Sequence, residues 1–423
     1  MSQQSAQSHD SVRPPRPPLV LDPNGADWQS EFRTLRDSGS AVRVDILGVT
    51  AWSVADPALL KQLLTSPDVS KDARTHWPDF GNRVTTWPLA LWVAVQNMFT
   101  AYGGDHRRLR RLISPTLSAR RIAALAPMVE QTVSALLDGL APDSGDTVVD
   151  LRQRLAYPLP ITVISHLLGV ADEQTLHFRQ VVDGIFDTTL TQEQQAANND
   201  RLFALADELI VAKRATPGDD MTSLLIAARD DETDGSGLTH PELRDTIILL
   251  ISAGYETTVN VIDEALVAML THPRQLTRVR AGEFRWEDVA EETLRLQPAL
   301  KFLPLRFAVG DLTLPDGQTI RRGEAILPSY GPANRHPDWH GDTADAFDVS
   351  RLNKEHLAFG HGVHFCLGAP LARMEVAEAL RGLFTRYPDV RLAVPHEELR
   401  PLGSMISNGH QALPVRLGAP GDA

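Results

Sequence analysis

The chain has 423 residues, 43% of them hydrophobic and 22% charged, and a formal net charge of −13 at pH 7. This composition is ordinary for a globular protein and supplies enough apolar side chains for a large core. The negative charge argues against general binding to nucleic acid or to an anionic membrane. The only cysteine, Cys366, excludes an intramolecular disulfide and is typical of a reducing compartment.

Residues 1–18 are rich in Ser and Gln and then in Pro, without the apolar segment of a signal peptide. We predict that they are disordered and that one large domain spans residues 19–423. Charged residues interrupt the most apolar stretch, residues 246–269, so no run reaches the roughly 18–20 apolar residues that cross a membrane. We therefore expect a soluble, cytoplasmic protein without a membrane partner.

The first predicted elements are a β-hairpin over residues 41–54 and a short helix over residues 56–66. Residues 79–98 give few regular signals and predict a long loop with one helical turn; such irregular segments are often functional. From residue 105 onward the apolar spacing is helical almost without interruption. It predicts helices over 105–116, 119–140, 158–168, 173–188, 192–215, 220–230, 239–272, 274–281 and 286–296.

The pattern changes after residue 300 to short strands, predicted at 303–306, 312–314 and 325–327. A meander rich in Pro, Asp, Asn and His follows over 330–358, then a helix over 367–387 and strands between 391 and 417. Glycines and prolines are scattered through short connections and do not form a linker. The predicted fold class is mainly α with a minor β part.

The single cysteine lies in Phe359-Gly-His-Gly-Val-His-Phe-Cys366-Leu-Gly368. An isolated cysteine is usually a small buried hydrophobe, but these glycines allow close backbone approach and positive φ, which a packed core does not need. The helix that follows places Cys366 at a helix N-terminus, where N–H groups and the helix dipole stabilise a thiolate. The segment therefore indicates a thiolate ligand for a metal.

This run, Phe-x-x-Gly-x-His-x-Cys-x-Gly, resembles the haem-ligand loop of the cytochromes P450 at every fixed position. The resemblance implies a cytochrome P450 fold, haem b as the cofactor, Cys366 as the ligand of its iron, and Phe359 and Gly368 beside the haem. A thiolate ligand donates electron density to haem iron and favours O–O bond cleavage. The resemblance therefore implies an O2-dependent monooxygenase.

The longest predicted helix contains Ala253-Gly254-Tyr-Glu256-Thr257 in its interior. Glycine costs about 1 kcal/mol there, and the close approach of a ligand is one reason for Gly254. Thr257 can donate a hydrogen bond to the Ala253 carbonyl. The segment resembles the acid–alcohol pair of P450s, which implies that Ala253 and Gly254 lie against the haem and that Glu256 and Thr257 deliver protons. A kinked core helix with an exposed glutamate is the alternative.

Haem carries two propionates, and such anions require fixed cations. His106 and Arg110 share one face of a predicted helix, and the resemblance assigns them to one propionate. It assigns Arg306 and His364 to the other. The alternative for the arginines around residue 110 is a solvated basic face.

No segment resembles a flavin or iron–sulfur domain, so the resemblance implies that electrons come from ferredoxin and ferredoxin reductase. The candidate docking surface for the acidic iron–sulfur protein is a set of arginines in an otherwise acidic chain. Its members are Arg107, Arg108, Arg111, Arg120, Arg121 and Arg373.

Glu292 and Arg295 are three residues apart on a predicted helix, which allows an ion pair. A solvated pair is the ordinary interpretation. Their place in the chain, directly before Pro298, resembles the P450 arrangement in which E-x-x-R holds the core against the meander. We predict Arg335 as the third member and a structural role for all three.

The predicted substrate pocket is largely apolar and favours a large, neutral, hydrophobic substrate. Its predicted wall includes Trp92, Leu249, Leu303, Met405 and Ile406. Residues 69–78 and 97–103 resemble those of actinobacterial P450s that act on steroids or macrolides. We expect steroid hydroxylation first, with macrolide or polyketide hydroxylation and aromatic crosslinking of a peptide as alternatives.

Two other classes of function are also consistent with a P450-like chain. A haemless partner protein is expected to have lost the ligand cysteine or the acid–alcohol pair, and both are present here. A haem-based sensor would need a signalling domain, and no segment of these 423 residues resembles one.

Overall fold

The computed structural model describes residues 17–140, 147–230 and 237–421. The segment 1–18 predicted to be disordered lies outside the described residues except for Pro17 and Pro18. The α-helices, numbered α1 to α18 in chain order, are Trp28–Asp37, Pro57–Thr65, Ala73–His76, Phe80–Arg83, Leu91–Ala94, Gly103–Ile113, Ala119–Ala123, Ala126–Asp138, Pro158–Leu168, Asp172–Phe186, Gln192–Ala215, Met221–Asp230, His240–Thr271, Pro273–Arg280, Trp286–Leu296, Tyr330–Asn334, Pro337–His340 and Ala369–Arg386.

The strands are short and gather in small sheets. Numbered β1 to β11 in chain order, they are Leu19–Val20, Ala41–Ile46, Val49–Val54, Val69–Ser70, Val148–Asp150, Arg306–Ala308, Leu312–Thr313, Thr319–Ile320, Ala325–Pro328, Arg391–Leu392 and Pro414–Arg416. The largest sheet has the order β1-β2-β3-β9-β6-β4. In it β1 and β2 are parallel, as are β3 and β9, and the other neighbouring pairs are antiparallel. A second sheet joins β10, β11 and β5.

Helix α13 lies at the centre of the core and packs on α9, α11, α15 and α18. Thr239 begins it with a reciprocal capping box to Glu242, which satisfies two of the free N–H groups of its first turn. Most of its side chains are buried, including several polar ones. Because a helix buried on all sides must be apolar or internally paired, these polar residues require partners or a ligand.

The predicted hairpin is confirmed, and the helices predicted over 158–168, 192–215 and 286–296 have those bounds. Other boundaries were wrong. The helix predicted over 119–140 is broken into α7 and α8, with Pro127 at the start of α8, where a proline is tolerated because that N–H has no helical partner. The strand predicted at 303–306 begins only at Arg306, after Pro304, which has no N–H for a ladder.

Two irregular segments contain more helix than the single helical turn predicted in 79–98. Residues 79–98 contain two short helices, α4 and α5, and the meander over 330–358 contains α16 and α17. Among the described residues no single helix has the length and hydropathy of a membrane span. Residues 152–168 and 172–186 meet those criteria only as a pair, and the chain bends by 116° between them.

Candidate active site

The cysteine loop is held by backbone hydrogen bonds. The Cys366 N–H donates to the Phe359 carbonyl at 2.9 Å, which closes the loop directly before α18. Gly360 and Gly362 have φ of 72° and 73°, in the left-handed region that favours glycine. At Gly362 an added Cβ would also lie 3.0 Å from the Leu64 carbonyl oxygen. Gly368 has a negative φ of −81°, so its position is not explained by backbone conformation.

The Cys366 side chain retains accessible surface, although protein atoms surround it closely. Burial raises the pKa of its thiol, while the N–H groups of Gly368 and Ala369 and the charges of Arg110 and Arg373 favour the thiolate. A coordinated metal deprotonates such a thiol outright. One soft sulfur ligand at a helix N-terminus fits the single protein ligand of a haem iron.

Beside this loop lies a group of basic side chains, Lys71, His106, Arg110, Arg306 and His364, which we call the cation cluster. The His106 and His364 rings are 4.2 Å apart, and Arg110 donates to the Phe365 carbonyl at 2.8 Å. Burial is the largest influence on all five groups, and it lowers the pKa of each. Repulsion from neighbouring basic groups lowers the pKa further for Lys71, His106 and His364.

The cation cluster has no carboxylate partner in the part of the chain that the structure describes. Arg306 Nε and His106 Nε2 are buried, and neither atom has a hydrogen-bond partner among the described residues. Unpaired buried charges are costly, so this arrangement fits an anionic ligand that supplies the missing acceptors. Two propionates match it, and Arg306, Arg110 and the two histidines are the residues that would hold them.

Sequence reasoning did not single out Lys71. It is 2% exposed, its Nζ lies 3.4 Å from the Pro304 carbonyl oxygen and 3.5 Å from the centre of the Phe99 ring. The available signal was a lysine directly after the alternating residues of β4. That signal is weak, because the residues that bury Lys71 are more than 25 positions away in the chain.

The acid and the alcohol of α13 lie in different environments. Thr257 donates to the Ala253 carbonyl at 2.6 Å, as its spacing predicts. Glu256 is 4% exposed, which rules out the alternative of an exposed glutamate. Burial raises its pKa to about 7, against the opposing charge of Arg152 and a hydrogen bond from Asn260. A carboxyl group with this pKa can both hold and release a proton near neutral pH.

Gly254 has a packing reason in addition to the ligand approach that the sequence predicts. A Cβ at this position would lie 2.9 Å from Ile164 Cδ1 on α9, so the glycine allows α13 and α9 to pack closely. The neighbouring Ala253 is exposed in the middle of an otherwise buried helix. Ala253, and not the side-chain position of Gly254, therefore faces the open space of the site.

A cavity of about 110 Å³ adjoins Ala253 and Thr257. Three of the residues predicted for the substrate pocket, Trp92, Leu249 and Leu303, line it. Trp92 packs edge-on against Phe99 and Phe186, with ring centroids 6.3 Å and 5.2 Å away. The wall is thus mainly aromatic and aliphatic, which suits an apolar ligand.

Met405 and Ile406 lie elsewhere. They are 1% and 0% exposed and do not line this cavity; their backbone bonds to Pro23 and Lys301. A larger cavity of about 530 Å³ is lined by Glu264, Arg335 and His410 at the other end of α13. None of the residues around it lines the smaller cavity beside Thr257.

The E-x-x-R pair is fully buried. Arg295 donates twice to Glu292, at 2.8 Å each, and its remaining donors reach the carbonyls of Ala344 and Ala346 in the meander. The second cation on Glu292 is Arg351, with Nε 3.1 Å from Oε1. The pair therefore joins α15 to the meander, as its spacing and place in the chain suggested.

The prediction of Arg335 as the third member was wrong. Its guanidinium donates to the Leu296 carbonyl at 2.7 Å and to Gln297 Oε1 at 2.6 Å, and it faces Asp345 at 3.7 Å. Arg335 also fixes α15 to the meander, but through the helix C-terminus instead of through Glu292.

Comparisons with known proteins agree with this geometry. The family model described as Cytochrome P450 matches residues 190–282 and 286–392. The 2-hydroxy-5-methyl-1-naphthoate 7-hydroxylase of Streptomyces carzinostaticus is 40% identical over 403 residues, which cover 95% of this chain and 97% of the relative.

Two solved structures are similar along nearly the whole chain. CYP154A1 from Streptomyces coelicolor A3(2) is 66% identical with a TM-score of 0.91, covering 94% of this chain and 100% of that one. Testosterone-bound CYP154C4 from Streptomyces sp. ATCC 11861 is 36% identical with a TM-score of 0.92, covering 96% and 100%. The chain therefore belongs to the cytochrome P450 family, has the single-domain P450 fold, and is a monooxygenase whose haem iron is ligated by a cysteine thiolate.

Proposed function

We propose that this P450 hydroxylates a hydrophobic fused-ring substrate, with steroids as the first candidate class, using electrons from ferredoxin and ferredoxin reductase in the cytoplasm. The observation that carries the proposal is the position of the apolar cavity. It adjoins Thr257 and Ala253 on α13, on the helix that also carries the buried acid Glu256.

The bound haem supplies the activation of O2 and the insertion of one oxygen atom into a C–H bond. The protein ligates and orients the haem and supplies the groups that hold protons. Cys366 provides the thiolate, held by the N–H groups of Gly368 and Ala369. The cation cluster orients the cofactor through its carboxylates. Thr257 holds a hydroxyl at the cavity wall, and Glu256 stores a proton one residue away.

Two observations support fused-ring substrates. The named ligand of one similar structure is testosterone, and the named substrate of one similar enzyme is a naphthoate; both molecules are flat ring systems. A naphthoate-type aromatic acid is therefore the second candidate.

Spin-state titration of the purified ferric protein tests the substrate class. We expect testosterone to convert low-spin to high-spin iron at micromolar concentration, and 2-hydroxy-5-methyl-1-naphthoate to be the next best ligand. A macrolactone serves as the large control. A spin shift with the macrolactone and none with either ring system would contradict the proposed substrate class without affecting the P450 assignment.

Charge reversal tests the redox partner. Arg107 and Arg111 are exposed on α6, and neither has an ion-pair partner within residues 17–140, 147–230 and 237–421. We expect Arg107→Glu and Arg111→Glu to slow reduction by a ferredoxin and to leave reduction by dithionite unchanged, because docking depends on complementary charge. Arg278→Glu, on a distant exposed helix, is the control. Equal slowing by all three would argue against this docking surface.

A further inference from the structure

A continuous row of buried polar side chains connects Glu256 with the loop that contains Gly409 and His410, which we call the C-terminal loop. Asn260 donates to Glu256 Oε1 at 3.0 Å. Its own carbonyl oxygen accepts from Arg152 Nη2 at 2.8 Å, and Arg152 Nη1 lies 3.4 Å from Asp263 Oδ2. Asp263 Oδ2 also accepts from the backbone N–H and the Nδ1 of His410, at 2.8 Å and 2.9 Å.

This row is unusually well buried for charged groups. Arg152, Asn260 and Asp263 are each 0% exposed. Buried ions are stable only where their partners are closely fixed. Asp263, Glu264 and His410 bring ligand-type atoms within 4.8 Å of one another, but the guanidinium of Arg152 already faces Asp263. We therefore assign the group as an ion-pair network and not as a metal site.

The C-terminal loop is shaped to cover this network. Gly409 has a φ of 148°, and a Cβ on it would lie 2.8 Å from Asn260 Oδ1 and 3.1 Å from Arg152 Nη1. Any side chain at position 409 would therefore displace the Asn260–Arg152 hydrogen bond. The glycine places the loop backbone directly on the network and brings His410 to Asp263.

The network fixes the orientation of the Asn260 amide. An arginine side chain has only donors, so the amide oxygen must face Arg152. The amide NH2 must then face Glu256. This leaves Glu256 Oε2, which has no hydrogen-bond partner among the described residues, as the oxygen that exchanges a proton.

We propose that Arg152, Asp263 and His410 are positioning residues for proton delivery, because they hold the Asn260 amide in the one orientation that directs Glu256. This inference rests on the proposed role of Glu256 in proton delivery. None of the three lines the substrate cavity; each acts through Asn260. Both terminal nitrogens of the Arg152 guanidinium are needed, because Nη1 faces Asp263 and Nη2 donates to Asn260.

A purely electrostatic role is the alternative. The charged and titratable groups that face Glu256 are Arg152, Arg179 and Asp183, with Tyr157 and Tyr255. Arg152 and Arg179 both lower the pKa of Glu256, Arg152 more strongly, and a role of charge alone would tolerate lysine at either position. Only Arg152 contacts Asn260.

The test compares Arg152→Lys with the matched control Arg179→Lys in the haem-loaded enzyme. Lysine keeps the charge but loses the planar fork. For Arg152→Lys we expect the fraction of supplied electrons released as hydrogen peroxide to rise severalfold toward the value of Thr257→Ala, because proton delivery loses its fixed geometry. Arg179→Lys should behave like the wild type. Equal peroxide release in the two lysine variants would overturn the proposal.

An infrared measurement separates this inference from the proposed function. The C=O stretch of protonated Glu256, identified by its loss in Glu256→Gln, reports the hydrogen bond from Asn260 without turnover. We expect it to shift in Arg152→Lys and to stay in place in Arg179→Lys. If Arg152→Lys does not incorporate haem, Arg152→Met combined with Asp263→Asn removes both charges together. An unshifted band in the Arg152 variant would overturn positioning even in a fully active P450.

Discussion

Arg295 and Arg306 are both buried, at 0% and 3% exposure, yet their surroundings differ completely. Arg295 has two bonds to Glu292 and further bonds to carbonyls of the meander. Arg306 has no acidic partner within the described ranges, and its Nε is unpaired. Its neighbours are the basic side chains of Lys71, His106 and His364.

The difference distinguishes a structural charge from a binding charge. A buried arginine with all donors satisfied holds protein segments together, and its site has nothing left to offer a ligand. A buried arginine among like charges carries an uncompensated cost that an anionic ligand relieves. Whether the donors of a buried arginine have acceptors therefore distinguishes the Glu292 network from the cation cluster more clearly than the degree of burial does.

The largest expected effect is in the Glu292 network. Glu292→Gln removes the shared anion of Arg295 and Arg351 and leaves two buried cations without it, which should cost about 3–5 kcal/mol of unfolding free energy. Urea unfolding of the haem-loaded protein measures this cost. Glu283→Gln, which breaks an exposed pair with Arg278, should cost less than about 1 kcal/mol. Similar costs for the two variants would mean that the buried network does not stabilise the fold.

Removing a charge from the cation cluster should have the opposite effect on the stability of the haem-free protein. Arg306→Met removes an unpaired buried charge, so the haem-free protein should be as stable as the wild type or more stable. Haem transfer to apomyoglobin should become about ten- to a hundredfold faster, because a hydrogen bond to a charged group contributes about 1.5–3 kcal/mol. Arg107→Met, at an exposed site, is the control. Unchanged haem transfer together with lower stability would place Arg306 with the structural arginines.

The smallest expected effect is a dependence on pH. Burial, with the charges of Arg110 and Arg306, lowers the pKa of His106 from 6.5 to about 4 in the haem-free fold. Below about pH 6.5 the unfolded chain binds a proton that the folded chain does not, so stability falls as the pH decreases toward 4.

A bound propionate would give His106 an anionic partner and reduce this loss. Urea midpoints at pH 7 and pH 5, with and without haem, therefore measure this difference, and His106→Gln removes the part of the pH dependence that His106 contributes. An equal decrease in both forms would show that His106 does not face the cofactor.

The parts of the site that lie within one short segment could be predicted from the sequence. The cysteine loop and the acid–alcohol pair each occupy ten residues or fewer, and their local geometry follows from glycine conformation and helical spacing. The family resemblance added His106, Arg110, Arg306 and His364, which the structure brings to one side of the cysteine loop.

Residues whose partners depend on the tertiary fold could not be predicted in this way. Arg351, and not Arg335, completes the Glu292 pair because the meander turns back onto α15. Gly254 is explained by a contact with Ile164 on another helix. Arg152 and His410 reach Glu256 through residues more than 100 positions apart in the chain. No spacing rule within the sequence indicates such contacts.

The carbon monoxide difference spectrum of the dithionite-reduced protein tests the central claim, ligation of haem iron by Cys366, most directly. The structure predicts a strongly red-shifted Soret band, because a thiolate at the N-terminus of α18 donates electron density to the iron. Cys366→Ala should abolish that band. No haem in the wild-type protein, or a band typical of histidine ligation, would contradict the account.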